Sequence, residues 1–360
     1  MISHFLLASG AAFIITAALT PLIKRLAWKL NIVDKPDLVR KLQEKPVALL
    51  GGWAIFAAIS LVLWYFRQAL VVGDLNYYHW LGVWLGGLIL MIGGSLDDRY
   101  NLSPKKQLVF PILAVMAVIL GGVGIKKITG FDGQLIFLNS WQFDLFFWQG
   151  FVRHFVVWAD LFTFVWLMGM MYTTKLLDGL DGLVTGLVGI GGLVVGLFTL
   201  TTKYYQPDIA LAGFVLAAAC AGFLIYNWSP AKIYLGEGGS LLLGYFLGVL
   251  AIISGGKIAI ALLIMGVPIL DAAWVIARRI LSGQNPLRTA DRKHLHHRLV
   301  ALGWSTKKTA LFYYSISLIC GLSALFLQSQ GKRLALLLVV LLMGLAVVGF
   351  SRLDKQQQKP

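Results

Sequence analysis

Charge is what this sequence has least of. Only 13% of its 360 residues are Asp, Glu, Lys or Arg, against 58% hydrophobic, and that balance excludes an ordinary soluble domain. Cysteine is nearly missing too: Cys220 and Cys320 both fall in apolar runs, so neither a disulfide framework nor a thiolate metal motif is expected, and the two read as small core residues. No basic stretch precedes the first apolar run, whereas Lys24, Arg25 and Lys29 follow it. A cleavable leader is therefore not expected, and the run should stay in place as a span. Repeats and low-complexity segments are lacking apart from the polar ending "SRLDKQQQKP", residues 351–360.

What is present is a succession of apolar runs, each about long enough to cross a hydrocarbon core of roughly 30 Å as a helix. In lipid the backbone must satisfy its own polar groups, so these runs should be helical. Eleven spans are expected, near 4–23, 47–66, 80–96, 107–124, 154–173, 183–200, 208–226, 239–255, 258–277, 309–327 and 334–350. The fold class is thus an all-α polytopic membrane protein, with residues 1–350 as a single transmembrane domain and 351–360 as a polar tail. Eleven spans place segments 24–46, 97–106, 174–182, 227–238, 278–308 and the tail on one side. That side holds 23 Lys and Arg against 8 on the other, so it is predicted to be cytoplasmic, with the N-terminus outside and the C-terminus inside. The excess of 31 basic over 16 acidic residues then reads as a topology signal and an attraction to anionic lipid or phosphate, not as a nucleic-acid surface. Outside, residues 125–148 alternate apolar and polar around Asp132-Gly133. A small extracytoplasmic β-hairpin followed by an aromatic interfacial piece is expected there.

The inner segments carry the unusual residues. In "GGSLDDRYNLSPKKQL", Asp97 and Asp98 sit side by side at a membrane edge, where two carboxylates repel unless a metal, a base or a bound cation offsets them. A solvated turn with Arg99 neutralising one acid explains the pair as well. In "TTKLLDGLDGLVTG", Asp178 and Asp181 are three apart, on one face if helical, with Gly179 and Gly182 allowing close approach. The alternative is a capped helix start. "NWSPAKIYLGEGGSLLLG" sets Glu237 between glycines with Ser240 behind it, a pattern that suits a phosphate at a helix start and a carboxylate-held magnesium beside it; Ser240 as a simple cap is the plainer account. "RRILSGQNPLRTADRKHLHHRLVALGW" holds His294, His296, His297 and Arg298 among further Arg and Lys, a cluster suited to a diphosphate. An ordinary positive inner loop explains the cations but not three histidines in four positions. Asp271, inside the ninth span, is either a polar link or part of the site.

Together these motifs fall on one face of the bundle and supply the parts needed to hold a diphosphate and move a phosphoryl group. A lipid-phosphate or nucleotide-sugar transporter is the rival class, but it would place ionisable residues at mid-bilayer depth along broken helices; here they gather at one edge.

The chain resembles the polyprenyl-phosphate N-acetylhexosamine-1-phosphate transferases over nearly its full length. The resemblance rests on "VDKPDLVRKLQEKPVALLGGWAIF", "LDDR", "LLDGLDGL", "AKIYLGEGGSLLLG", "PILDAAWVIARRI" and "DRKHLHHRL", and the last motif favours the N-acetylglucosamine-1-phosphate branch over the phospho-MurNAc-pentapeptide translocase branch. It implies transfer of a sugar 1-phosphate from a UDP-N-acetylhexosamine to undecaprenyl phosphate, with release of UMP, at the cytoplasmic face of a bacterial inner membrane, as the first membrane step of an envelope polysaccharide pathway. It leaves a homodimer open.

By motif matching, Asp97 and Asp98 would serve the lipid phosphate, Asp97 as the base. Asp178 and Asp181 would lie near metal or uridine; His294, His296, His297 and Arg298 would bind the nucleotide diphosphate, and Lys41 would neutralise phosphate. Magnesium, or manganese in its place, is the implied cofactor, with Glu237 and Asp178 as ligands.

Two positions depart from the family pattern. Lys175 stands where Asn is usual, and Glu237 where Asp is usual, and these are the positions expected to hold magnesium. Glu for Asp keeps the charge, but an ammonium donates and cannot coordinate a cation. Three accounts follow: Lys175 replaces the ion and pairs with Glu237; another aspartate takes over the metal; or the chain is a non-catalytic paralogue that binds polyprenyl phosphate.

Overall fold

The computed structural model describes residues 2–36, 45–71, 75–129, 134–148, 151–201, 205–255, 258–283 and 294–357. All eleven apolar runs are helical. In chain order they are α1 (Ile2–Lys29), α2 (Gly52–Tyr65), α3 (Tyr77–Tyr100), α4 (Pro104–Leu120), α5 (Val157–Leu177), α6 (Leu183–Thr199), α7 (Pro207–Asn227), α8 (Gly236–Ile253), the pair α9 (Ile258–Ile264) and α10 (Gly266–Leu281), then, after the short α11 (Leu295–Ala301), α12 (Thr306–Phe326) and α13 (Ser329–Gln357). The protein is an all-α polytopic membrane protein. Not every run is a full-length span. By length and composition α1, α3, α7, α8 and α12 can cross a membrane and the bent pair α9–α10 would make a sixth, whereas α2 and α6 have 14 and 17 residues.

Helix α8 is the axis of the bundle. Of its apolar stretch 89% is buried, against 22% for α1, as expected for a helix that is hydrophobic all round. Helices α3 and α5 pack on α8, α6 packs on α7, and α1 covers α7. Glycines set the closeness of the two contacts that matter for the site. A Cβ on Gly94 of α3 would lie 2.0 Å from the backbone nitrogen of Gly238, and one on Gly244 of α8 would lie 2.3 Å from Thr174 Oγ1 of α5.

The ninth run differs from a continuous span: α9 and α10 meet at 79° around Met265. Pro268 explains the break, because it lacks the N–H that would bond the Ile264 carbonyl and its ring crowds that carbonyl. The freed oxygen instead accepts from Ser317 Oγ of α12 at 2.7 Å. Cys220 is buried on α7 and Cys320 half-buried on α12, both as free thiols.

Between α4 and α5 the chain forms two hairpins, not one. Strands β1 (Lys127–Thr129) and β2 (Leu135–Phe137) pair antiparallel with Ile128 opposite Ile136; the turn at Asp132-Gly133 lies outside the described residues. Where an aromatic interfacial piece was expected, β3 (Gln142–Trp148) pairs with β4 (Phe151–Val156). The fifth helix accordingly begins at Val157, three residues after the expected 154. Its start is fixed by Asp160, whose Oδ2 accepts the Val156 N–H at 2.9 Å.

Candidate active site

The opposite end of α5, about 30 Å away along its 21 residues, opens into a cavity of about 1060 Å³. Its wall draws on five of the six segments that the charge count puts on one side: Asp34 and Lys45, then Asp98, then Lys175 to Asp181, then the stretch around Glu237, and finally His297 to Thr306. Sequence-distant motifs therefore meet at one end of the bundle.

The acidic pair is divided. Helix α3 ends with Asn101 in the left-handed conformation (φ 49°), and α4 restarts at Pro104, a favoured first helical residue. Asp97 stitches this corner: its Oδ1 accepts the Leu102 N–H at 2.8 Å, and Gln107 Nε2 donates to both carboxylate oxygens at 3.0 and 3.1 Å. It is not part of the cavity wall. Asp98 is in the wall. It accepts the backbone N–H of Glu237 at 3.0 and 3.2 Å, and so caps the N-terminus of α8 from another helix, where unpaired amides and the helix dipole favour an anion. Gly236, at φ +74°, makes this possible, since a Cβ there would lie 2.4 Å from Asp98 Oδ2.

The two aspartates of the glycine motif also part company. Asp178 follows the last residue of α5 and faces the cavity. Protein surrounding it on the remaining sides, then the carboxylates of Glu237 and Asp181, push its carboxyl up to about 7. Asp181 lines the cavity and accepts the Ala231 N–H at 3.0 Å, tying this turn to the loop before α8. Ser240 Oγ donates to the Glu237 carbonyl at 3.0 Å, a local helix contact that still leaves Ser240 at the cavity wall.

The histidine cluster is held by the lone acid of α10. Asp271 Oδ2 pairs with His294 Nδ1 at 2.9 Å and Oδ1 accepts the Leu295 N–H at 2.9 Å, so Asp271 secures the start of α11. His294 and His296 stack with ring centres 5.5 Å apart, and His297 lies 4.2 Å beyond. His296 is fully buried; burial, then His297 and His294, hold it well below the ordinary histidine range, hence neutral. Only His297 of the three reaches the cavity wall. His296 and His297 rest against Gly179, where a Cβ would come within 2.9 Å of His296 Nε2. Arg298 is half-buried within α11, away from the wall, and Lys41 lies outside the described residues.

Lys175 and Glu237 form an ion pair, with side chains only 21% and 18% exposed. Lys175 Nζ also donates to Gln107 Oε1 at 3.1 Å and lies 5.5 Å from the Tyr172 ring centre. These contacts bear on the implied magnesium. That ion needs near-octahedral oxygen ligands, but one of the two presumed positions is an ammonium and the other is a carboxylate already paired with it. Among the described residues no three His, Cys, Asp or Glu side chains converge as a cation site. The donor set does not fit magnesium, contrary to the expectation for Glu237 and Asp178.

Residues with a place in the site that escaped the sequence reading include Gln107 and, at the cavity wall, Asp34, Lys45, Tyr234 and Thr306. Lys45 was visible as a cation in the first inner loop. Gln107, a neutral amide, gave no signal.

A family profile described as Glycosyl transferase family 4 matches residues 80–255. A "Probable undecaprenyl-phosphate N-acetylglucosaminyl 1-phosphate transferase" of Bacillus subtilis is 33% identical over 330 residues, covering 90% of this chain and 85% of that protein. A "Decaprenyl-phosphate N-acetylglucosaminephosphotransferase" of Mycolicibacterium smegmatis is 28% identical, covering 84% and 77%. An "Undecaprenyl-phosphate alpha-N-acetylglucosaminyl 1-phosphate transferase" of Escherichia coli K12 is 24% identical, covering 94% and 88%.

Proposed function

Because the chain belongs to glycosyl transferase family 4, we propose that it transfers N-acetylglucosamine 1-phosphate from UDP-N-acetylglucosamine to undecaprenyl phosphate, at the cytoplasmic face of a bacterial inner membrane. An oxygen of the lipid phosphate attacks the β-phosphorus of the nucleotide sugar. The new P–O bond forms as the bridging bond to the α-phosphate breaks, and UMP leaves with the electron pair. The products are undecaprenyl diphosphate N-acetylglucosamine and UMP.

One observation carries this reading. Carboxylates, two lysines and a histidine from distant motifs line a single cavity at one end of an apolar bundle, where a lipid headgroup and a water-soluble nucleotide can both reach. Within it, Asp178 is the base: a carboxyl near 7 is matched to the second ionisation of a phosphate monoester, near pH ~6, and keeps the attacking oxygen ionised. Asp98 holds the start of α8, and Asp97 acts from behind the wall through Gln107. Lys175, Lys45 and His297 face the diphosphate, whose growing charge they offset.

Purified full-length protein given radiolabelled UDP-N-acetylglucosamine and undecaprenyl phosphate should form a labelled lipid and release UMP. A folded preparation that forms none under any metal condition would leave the non-catalytic, lipid-phosphate-binding reading in its place. Parallel incubations with other UDP-sugars test the choice of donor.

A further inference from the structure

We infer that Lys175 is the resident cation of this site, and that the chain binds the diphosphate of its donor through this ammonium with no need of a divalent metal; the inference deepens the transferase reading and rests on it.

The ammonium is built in, not merely nearby. It sits in the last turn of α5 and its partner Glu237 in the first turn of α8, at the end of the helix pair that Gly244 allows to pack closely. On its other side Gln107 accepts its second hydrogen at 3.1 Å. Gln107 cannot turn its amide around, because its nitrogen is committed to both Asp97 oxygens and to the Leu102 carbonyl at 3.0 Å. Asp97 thus fixes the orientation of Gln107, Gln107 presents oxygen to Lys175, and Glu237 holds the charge in place. An ammonium has three donors; two are used, and Lys175 lines the cavity, which leaves the third for a phosphate oxygen.

The charge balance agrees. Asp98, Asp178 and Glu237 crowd the same wall, and a diphosphate adds more negative charge. Some cation has to offset these groups, since crowded like charges repel one another. A divalent ion placed at Glu237 would face the Lys175 ammonium at contact distance, and like-charge repulsion would displace one of the two. The pair holds Lys175.

The test compares binding of UDP-N-acetylglucosamine to the full chain in detergent or nanodiscs, by calorimetry, with excess EDTA and with magnesium. The wild-type dissociation constant should agree between the two conditions to within about twofold, and K175M should weaken binding about tenfold or more in both. The double change K175N/E237D should make binding metal-dependent, about tenfold weaker in EDTA and restored by magnesium. A wild-type protein that loses about tenfold on chelation and regains it with magnesium overturns the inference, and this comparison decides alone if the double variant does not fold. If wild type binds no UDP-N-acetylglucosamine at all, the transferase reading fails first. Manganese titration followed by electron paramagnetic resonance then decides the cation question: a saturable bound ion lost in E237Q overturns the inference, and manganese remaining free supports it.

Discussion

Asp98 and Glu237, 139 positions apart in sequence, meet where the carboxylate of the first accepts the backbone N–H of the second at 3.0 and 3.2 Å. A side chain of α3 thereby completes the N-terminus of α8, and one contact serves both the fold and the shape of the cavity. Substitution tests the contact. D98N keeps an acceptor for the amide, so its melting temperature and its turnover should both stay near wild type. D98A should lose about 1–2 kcal/mol of stability, the usual cost of an unmade cap, measured by thermal unfolding in detergent, and about tenfold in turnover as the cavity wall shifts.

The histidine segment depends on Asp271. D271A frees His294 and the start of α11 together, whereas D271N still accepts from the Leu295 N–H. Initial-rate kinetics should show KM for UDP-N-acetylglucosamine raised about tenfold in D271A and less in D271N, with kcat changed less than KM in both. A fall in kcat alone would count against an anchoring role.

Gly179 is the floor on which His296 and His297 rest. G179A introduces a methyl group within about 3 Å of both rings, and overpacking of this kind costs about 1–3 kcal/mol. Transferase activity should fall about tenfold or more, while an alanine placed at Gly10, where a Cβ meets nothing within 4 Å, should leave activity unchanged.

Titration of Asp178 gives a pH signature with a definite sign. Its carboxyl faces the cavity and is raised from 3.8 to about 7 by the protein crowded around it and by Glu237 and Asp181, so between those values the folded chain binds the proton that the unfolded chain has released. Stability contributed by this group is therefore greatest below pH ~4 and declines as pH rises towards 7. D178N should flatten that part of the stability profile and melt higher than wild type at pH 8, with the advantage shrinking at pH 5. Activity should run the other way in wild type, rising through pH 7 as the base is freed.

Ser317 tests the broken helix. S317A leaves the Ile264 carbonyl without its 2.7 Å donor, and an unsatisfied buried acceptor costs about 1–3 kcal/mol. Thermal unfolding should report that loss with little change in KM for either substrate.

Much of this was legible because lipid is a strict solvent. A run of apolar residues in a bilayer has little choice but to be helical, so all eleven runs became helices, and the few acids among them marked the site. The break at Met265 was also written in the chain, in Pro268. Other features were not legible, for physical reasons. Asp97 and Asp98 are identical in type and adjacent; only the helix phase and the turn at Asn101 send one to the corner and the other to the cavity. Gln107 is a neutral amide whose role arises from what touches it. Asp271 could be picked out as an odd acid, but its partner His294 comes from 23 positions later. The second hairpin was missed because an aromatic strand at a membrane surface carries the same residue types as an interfacial anchor.

The pairing of Lys175 with Glu237 also constrains how such a site can be reached from one with Asn and Asp at these positions. Removing one member of a mostly buried ion pair strands the other, at a cost of about 3–5 kcal/mol when burial is complete. A chain with lysine but no carboxylate within reach would leave a mostly buried ammonium unpaired, so Lys175 and Glu237 are best regarded as one unit of the site, to be exchanged together or not at all.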